Sequence, residues 1–171
     1  DSLVLIINNS TSTSMIDTAC DNYIWSLNGQ AYTTSGVYID TSTNVAGCLH
    51  TDSLVLTINN STSTNIQLSA CDSYTWPVDG NTYTQSDLYI DTSINTAGCT
   101  HIDSLNLTIE NSTSTDTSVT SCDSYTWPVN GQTYDTTGIY TDTSTNAAGC
   151  LHTDSLVLII NNSTSTSMID T

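Results

Sequence analysis

Residues 154–171 read DSLVLIINNSTSTSMIDT, and residues 1–18 read the same eighteen letters. The identity spans three steps of a 51-residue period that runs without a gap. Cys20, Cys71 and Cys122 fall on it, as do Cys48, Cys99 and Cys150, Trp25, Trp76 and Trp127, and His50, His101 and His152. A fixed period of this length marks a repeat architecture in which each copy is one supersecondary unit. The copies between the two identical segments differ from one another at many positions, which suggests a higher period of three copies and a window cut from a longer periodic chain.

Four stretches punctuate the period: NNSTSTS (8–14), NNSTSTN (59–65), ENSTSTD (110–116) and NNSTSTS (161–167). They have no apolar residue to bury, so they are expected to be linkers or exposed turns. Dividing the chain there gives 1–14 as the last strand of a preceding module with its linker, then modules 15–65, 66–116 and 117–167, and 168–171 as the start of the next. The orphan strand in 1–7 either continues from upstream or completes a neighbouring molecule by strand addition.

Inside a module the period is two. Leu105, Leu107 and Ile109 alternate with Asn106, Thr108 and Glu110, the pattern of a half-buried strand. Val4 and Ile6 fill the other face in the first copy, which predicts a strand covered on both sides. Tyr74 and Trp76 share a face ahead of Asp79-Gly80, with Asn28-Gly29 and Asn130-Gly131 at the same place, and this is a strong hairpin signal. No segment holds a helical period over three turns. The expected fold is all-β: a tandem array of small, antiparallel, Ig-like β-sandwich modules of four or five strands each.

The chain carries 17 acidic side chains and no lysine or arginine, for a formal charge of -17. Without cations it has nothing to displace counterions from nucleic acid or to hold anionic lipid. No apolar run is long enough to span a membrane. Serine and threonine number 58 of 171 residues, a composition of exposed, β-rich chain. The charge is spread as four, five, six and two over successive copies, so repulsion is diffuse and screened beyond about 8 Å.

Two cysteines per module fit a disulfide framework in an oxidising compartment. The pairing expected is within each module: Cys20 to Cys48, Cys71 to Cys99 and Cys122 to Cys150. A unit near 50 residues buries little apolar surface, and closing such a loop stabilises it by about 3–4 kcal/mol. A zinc site from Cys20, Cys48 and His50 is the weaker alternative, because it lacks paired C-x-x-C knuckles and a fourth ligand.

His50-Thr51-Asp52-Ser53 holds the letters of a hydrolase triad, yet on a strand His50 and Asp52 share one face and Ser53 takes the other. A structural histidine bonded to a carboxylate or hydroxyl is the better reading, and no enzyme or cofactor is expected. Asp40 to Asn44, Asp91 to Asn95 and Asp142 to Asn146 resemble the first half of a calcium loop but lack its bidentate Glu. Asp and Asn before a turn more often bond their own backbone. The sequon N-x-S/T occurs at Asn9, Asn60, Asn106, Asn111 and Asn162, and through the following Asn at Asn8, Asn59 and Asn161.

The run Cys122-Asp123-Ser124-Tyr125-Thr126-Trp127-Pro128-Val129-Asn130-Gly131-Gln132-Thr133-Tyr134, then Ala147-Ala148-Gly149-Cys150 and Asp154-Ser155-Leu156, resembles the tandem repeats of very large surface and secreted proteins of the Bacteroidota, associated with type IX export. The likeness extends along essentially the whole chain. It implies an extracellular or cell-surface, adhesin-like or fibrous protein without catalytic residues. It also implies O-glycosylation where Asp precedes Ser or Thr, at Ser2, Thr18, Ser53, Ser104, Thr136 and Ser155. The function expected is a structural subunit of a glycosylated filament or stalk, whose partners are further copies of itself and covalent glycans. A surface adhesin that binds glycans through Tyr and Trp is the alternative.

Overall fold

The computed structural model describes residues 1–164, so the expected module start at 168–171 lies outside the described residues. Three copies of one five-strand pattern follow an N-terminal stretch, 1–10, that belongs to no strand. The first copy holds β1 (Thr11–Cys20), β2 (Tyr23–Ile24), β3 (Ala31–Tyr32), β4 (Gly36–Thr43) and β5 (Leu49–Asn59). The second holds β6 (Thr62–Cys71), β7 (Tyr74–Thr75), β8 (Thr82–Tyr83), β9 (Asp87–Ile94) and β10 (Thr100–Glu110). The third holds β11 (Thr113–Cys122), β12 (Tyr125–Thr126), β13 (Thr133–Tyr134), β14 (Gly138–Thr145) and β15 (Leu151–Asn161). Among the described residues there is no helix.

The strand with the clearest alternation takes the centre of each sheet. β5 lies between β1 and β4, β10 between β6 and β9, and β15 between β11 and β14. Its inward leucines are fully buried: Leu54 and Leu56, Leu105 and Leu107, Leu156 and Leu158. The hairpin β2–β3 pairs Tyr23 with Tyr32 and lays Trp25, 1% exposed, over Leu54 and Leu56. Trp76 and Trp127 do the same in their copies. Each core draws its residues from a single copy, and Tyr83 stacked on Tyr89 or Tyr134 on Tyr140 closes its flank. The hairpin turns as the Asn-Gly and Asp-Gly pairs predict, with Gly29 at φ 71° and Gly80 at φ 73°, a left-handed conformation that a side chain disfavours.

Three expectations are corrected. First, the serine–threonine stretches are exposed, but only their leading residues are connections: from Thr11, Thr62 and Thr113 onward they open the edge strands β1, β6 and β11, and 165–167 of the fourth stretch lie outside the described residues. Edge backbone needs only one hydrogen-bonded neighbour, so hydroxyl-rich, β-branched chain with nothing to bury serves there. Second, the outer face is open: Val55 and Val157 are 38% and 41% exposed, and Val4 and Ile6 are exposed as well.

Third, the modules are not Ig-like sandwiches. Only one three-stranded sheet forms per copy, and its outer pair β1–β5 is parallel, running from Thr11↔His50 to Cys20↔Asn59, while β4–β5 is antiparallel. The chain is organised as stacked coils of a β-solenoid. It divides into two compact units, one of Asp1–Ile66 with Ile90–Ser104, the other of Gln67–Tyr89 with the chain from Leu105 onward. That division passes through the second copy, whereas a string of self-contained sandwiches divides at its linkers.

The expected disulfides within modules are also overturned. Cys20 bonds Cys99 and Cys71 bonds Cys150, each across 79 residues, while Cys48 and Cys122 are free thiols. The parallel register is the reason. Cys20 stands opposite Asn59, at the far end of β5 from Cys48, roughly 35 Å away at about 3.3 Å per residue. Bridged Cα atoms must lie within about 7 Å. Cys20 therefore meets the cysteine of the following coil, with a Cα separation of 5.6 Å.

Candidate functional site

The chemistry of this chain concentrates where one coil passes to the next. In the first unit β1 ends in Cys20-Asp21, and Asp21 takes a left-handed φ of 63°, which turns its carboxylate back towards the exit of β5. Its N–H donates to the Asn59 carbonyl at 2.8 Å, and its carboxylate accepts from Ser61 N–H at 2.8 Å and Ser61 Oγ at 2.7 Å. These two donors, the backbone one foremost, hold the Asp21 carboxyl below the usual carboxylate range. From the other side Asn95 Nδ2 donates to the Asn60 carbonyl at 2.9 Å, and Asn59 Nδ2 donates to the Ala97 carbonyl at 3.0 Å. The Cys20–Cys99 bond sits beside them.

The second unit contains the same joint: Asp72 N–H to the Glu110 carbonyl, Ser112 to the Asp72 carboxylate, Asn146 to the Asn111 carbonyl, and Cys71–Cys150. Asp72 is lowered in the same way by Ser112. Asp123, bonded by Ser163 Oγ at 2.6 Å and Ser163 N–H at 2.7 Å, is lowered by that hydroxyl first and the amide second. The signal for this bracket was present in the sequence, since Cys-Asp recurs at 20–21, 71–72 and 122–123 and a serine at 61, 112 and 163. The pairing of the two was not legible, because 40 residues separate Asp21 from Ser61.

The histidines are bonded as expected. His50 Nδ1 shares a hydrogen bond of 2.7 Å with Thr11 Oγ1, and its Nε2 lies 3.3 Å from Asp52 and 3.3 Å from Thr13 Oγ1. His101 and His152 repeat the arrangement with Thr62 and Asp103, and with Thr113, Thr115 and Asp154. Ser53 flanks buried Leu54 in β5 and so faces away from His50 and Asp52, and the three letters form no nucleophile–base pair. Zinc ligation by Cys20, Cys48 and His50 is not assembled, because Cys20 is spent on Cys99.

The calcium candidates are used otherwise. Asn44 Oδ1 accepts from Ala46 N–H and Cys48 N–H at 3.0 Å each, and Asn95 and Asn146 close their turns likewise. Asp40 and Asp142 lie in strands, facing Asp52 and Asp154 across the ladder, and Asp91 lies in β9. Among the described residues no group of three His, Cys, Asp or Glu is placed to hold a metal.

The glycosylation candidates sort by exposure. Asn9, Asn60, Asn106, Asn111 and Asn162 are exposed, whereas Asn8 and Asn59 spend their side-chain amides on the joint. Ser2, Thr18 and Thr136 are exposed; Ser53, Ser104 and Ser155 are half-buried, and Ser104 Oγ donates to the Thr64 carbonyl. A cleft of about 300 Å³ in the first unit is lined by Thr13, Met15, Trp25, Leu27, Asp52 and Ser53. The indole contributes little surface to it, being 1% exposed. No family model matches the chain, and no curated protein matches it either.

Proposed function

We propose that this chain is a stretch of an extracellular structural filament or stalk, lengthened by repetition of the 51-residue copy and carrying covalent glycans. The observation that carries the reading is the staggered cross-linking: both disulfides tie a copy to its successor, so tension along the chain meets covalent bonds between coils. Disulfides of this kind fit an oxidising compartment, and no described helix is long and apolar enough to cross a membrane. The absence of Lys and Arg removes every site for trypsin-like proteases, a trait suited to exposed material. The resemblance to Bacteroidota surface repeats points the same way.

Immunogold electron microscopy of native cells with antibodies against the repeat tests this: label along fibres outside the cell supports it, and label confined to the cytoplasm overturns it. The adhesin alternative has the Trp25 cleft as its observation. An oligosaccharide series that leaves tryptophan fluorescence unmoved rejects it.

A further inference from the structure

In every copy the hairpin lays a tyrosine on a tyrosine of the sheet. Tyr32 meets Tyr38, Tyr83 meets Tyr89 and Tyr134 meets Tyr140, with ring centroids 3.9, 3.6 and 3.8 Å apart and planes 35°, 27° and 29° from parallel. All six rings are half-buried and keep contact with solvent. What the hairpin hydroxyl meets differs between copies. Asn28 and Asn130 donate to Tyr32 and Tyr134 at 3.1 Å, and an amide offers a phenol no base. In the middle copy Asp79 stands in that place, and the Tyr83 hydroxyl donates to its carboxylate. Asn81 fixes the same carboxylate, donating its N–H to Oδ1 at 2.9 Å and its Nδ2 to Oδ2 at 3.1 Å. The bond from Tyr83 holds the Asp79 carboxyl below its ordinary value, so at neutral pH the acceptor is ionised.

We propose that Tyr83 and Tyr89 form a site of oxidative coupling, at which the stacked rings are joined by a carbon–carbon bond between ortho carbons and Asp79 serves as the base. The inference goes beyond the filament reading and does not depend on it. A phenol that loses an electron but keeps its proton becomes a strongly acidic radical cation, so the electron leaves readily only where the proton leaves with it. Tyr83 hands that proton to Asp79 along a hydrogen bond already made. A haem peroxidase with hydrogen peroxide is the oxidant, taking one electron from Tyr83 and one from Tyr89, whose proton passes to water. The two phenoxyl radicals pair their electrons in the new bond. That bond first forms along the p orbitals, normal to each ring, which is the direction in which stacked rings face one another, and 3.6 Å is close to the separation from which held reactants react. The hydrogen on each joined carbon then passes through solvent to the oxygen of its ring, restoring two phenols, and Asp79 releases its proton to water. The pair gives up two electrons and two protons in all, and the peroxide takes them to become two waters. The product ties hairpin strand β8 to sheet strand β9 beside the Trp76 core.

The test treats the dilute chain with a haem peroxidase and hydrogen peroxide and then digests it at aspartate, which puts Tyr83 in 79–86 and Tyr89 in 87–90. The expected product is these two peptides joined, lighter by two hydrogens than their sum and carrying the fluorescence of a biphenol. Its initial rate should exceed coupling at Tyr32–Tyr38 and at Tyr134–Tyr140 by at least about tenfold, since a positioned base contributes about a hundredfold or more. Asp79→Asn installs the residue that the other two copies carry, so the hairpin keeps its turn, and coupling at Tyr83–Tyr89 should fall to the level of those copies. Asn28→Asp should do the reverse and raise coupling at Tyr32–Tyr38 to the level of the middle copy. Equal rates at all three pairs, rates that neither substitution moves, or coupling found solely between molecules overturns the proposal.

Discussion

At Asp21, Asp72 and Asp123 one residue does two jobs that usually need two. Each takes a left-handed φ near 60°, tolerated best by Gly, Asn and Asp, and each uses its carboxylate to close a turn of the next strand onto the last. Asp72→Asn keeps the backbone preference and one acceptor, so it should lower the melting temperature less than Asp72→Ala, which loses both; thermal melts of the two variants measure the difference. The pH dependence follows from the same contacts. The folded pKa values lie below the ordinary 3.8, so the bracket is fully stabilising above that value and is lost as pH falls through the depressed folded values. The protection of the Ser61 and Ser112 amides, measured as exchange relative to the unstructured chain at the same pH, should fall over that acid interval and stay constant above about pH 5. A second carboxylate is confined to the middle copy: Asp79 accepts from the Tyr83 hydroxyl, which lowers Asp79 and raises Tyr83, whereas Asn28 and Asn130 donate to the corresponding tyrosines at 3.1 Å. Asp79→Asn should therefore bring the Tyr83 titration back towards an ordinary phenol, read by ultraviolet absorbance.

At the scale of the strand, the central element is specified by burial and the edges by hydrogen bonding. Leu105 and Leu107 are no more than 1% exposed, so Leu105→Ala should cost about 2–5 kcal/mol in denaturant unfolding, with the spread set by how far Trp76 can settle into the space. The end of each central strand is closed by a hydroxyl in place of another strand. Ser86 Oγ accepts from Ile109 N–H at 2.8 Å, as Ser35 does at Ile58 and Thr137 at Ile160. Ser86→Ala leaves that amide without its partner and should cost about 1 kcal/mol, while Ser86→Thr should be neutral, because the third copy already uses threonine. The alternation of β10 and the Asp-Gly hairpin were legible in sequence because both are local. The parallel pairing of β1 with β5 and of β11 with β15 was not, since hydroxyl-rich chain reads alike as linker and as edge strand.

For the whole molecule the two disulfides enclose interleaved loops, 20–99 and 71–150, and each stabilises by about 4–5 kcal/mol in the chain-entropy estimate for its length. Cys20→Ser should thus lower the melting temperature sharply, while Cys48→Ser should leave an isolated chain unchanged. A digest at aspartate without reductant should release Cys20 joined to Cys99; trypsin would leave the chain whole. The sequence by itself determined the period, the strand alternation, the leucine–tryptophan core, the hairpins and the absence of any cation, because each of these is written within a few residues. The tertiary structure alone decided which cysteines meet. A period of 51 repeats two choices in every copy, a bond within the copy (Cys20 to Cys48) and a bond to the following copy (Cys20 to Cys99, 79 residues on), and does not choose between them. The choice falls to the parallel β1–β5 register, which carries Cys20 the length of a strand away from Cys48 and delivers it to the next coil.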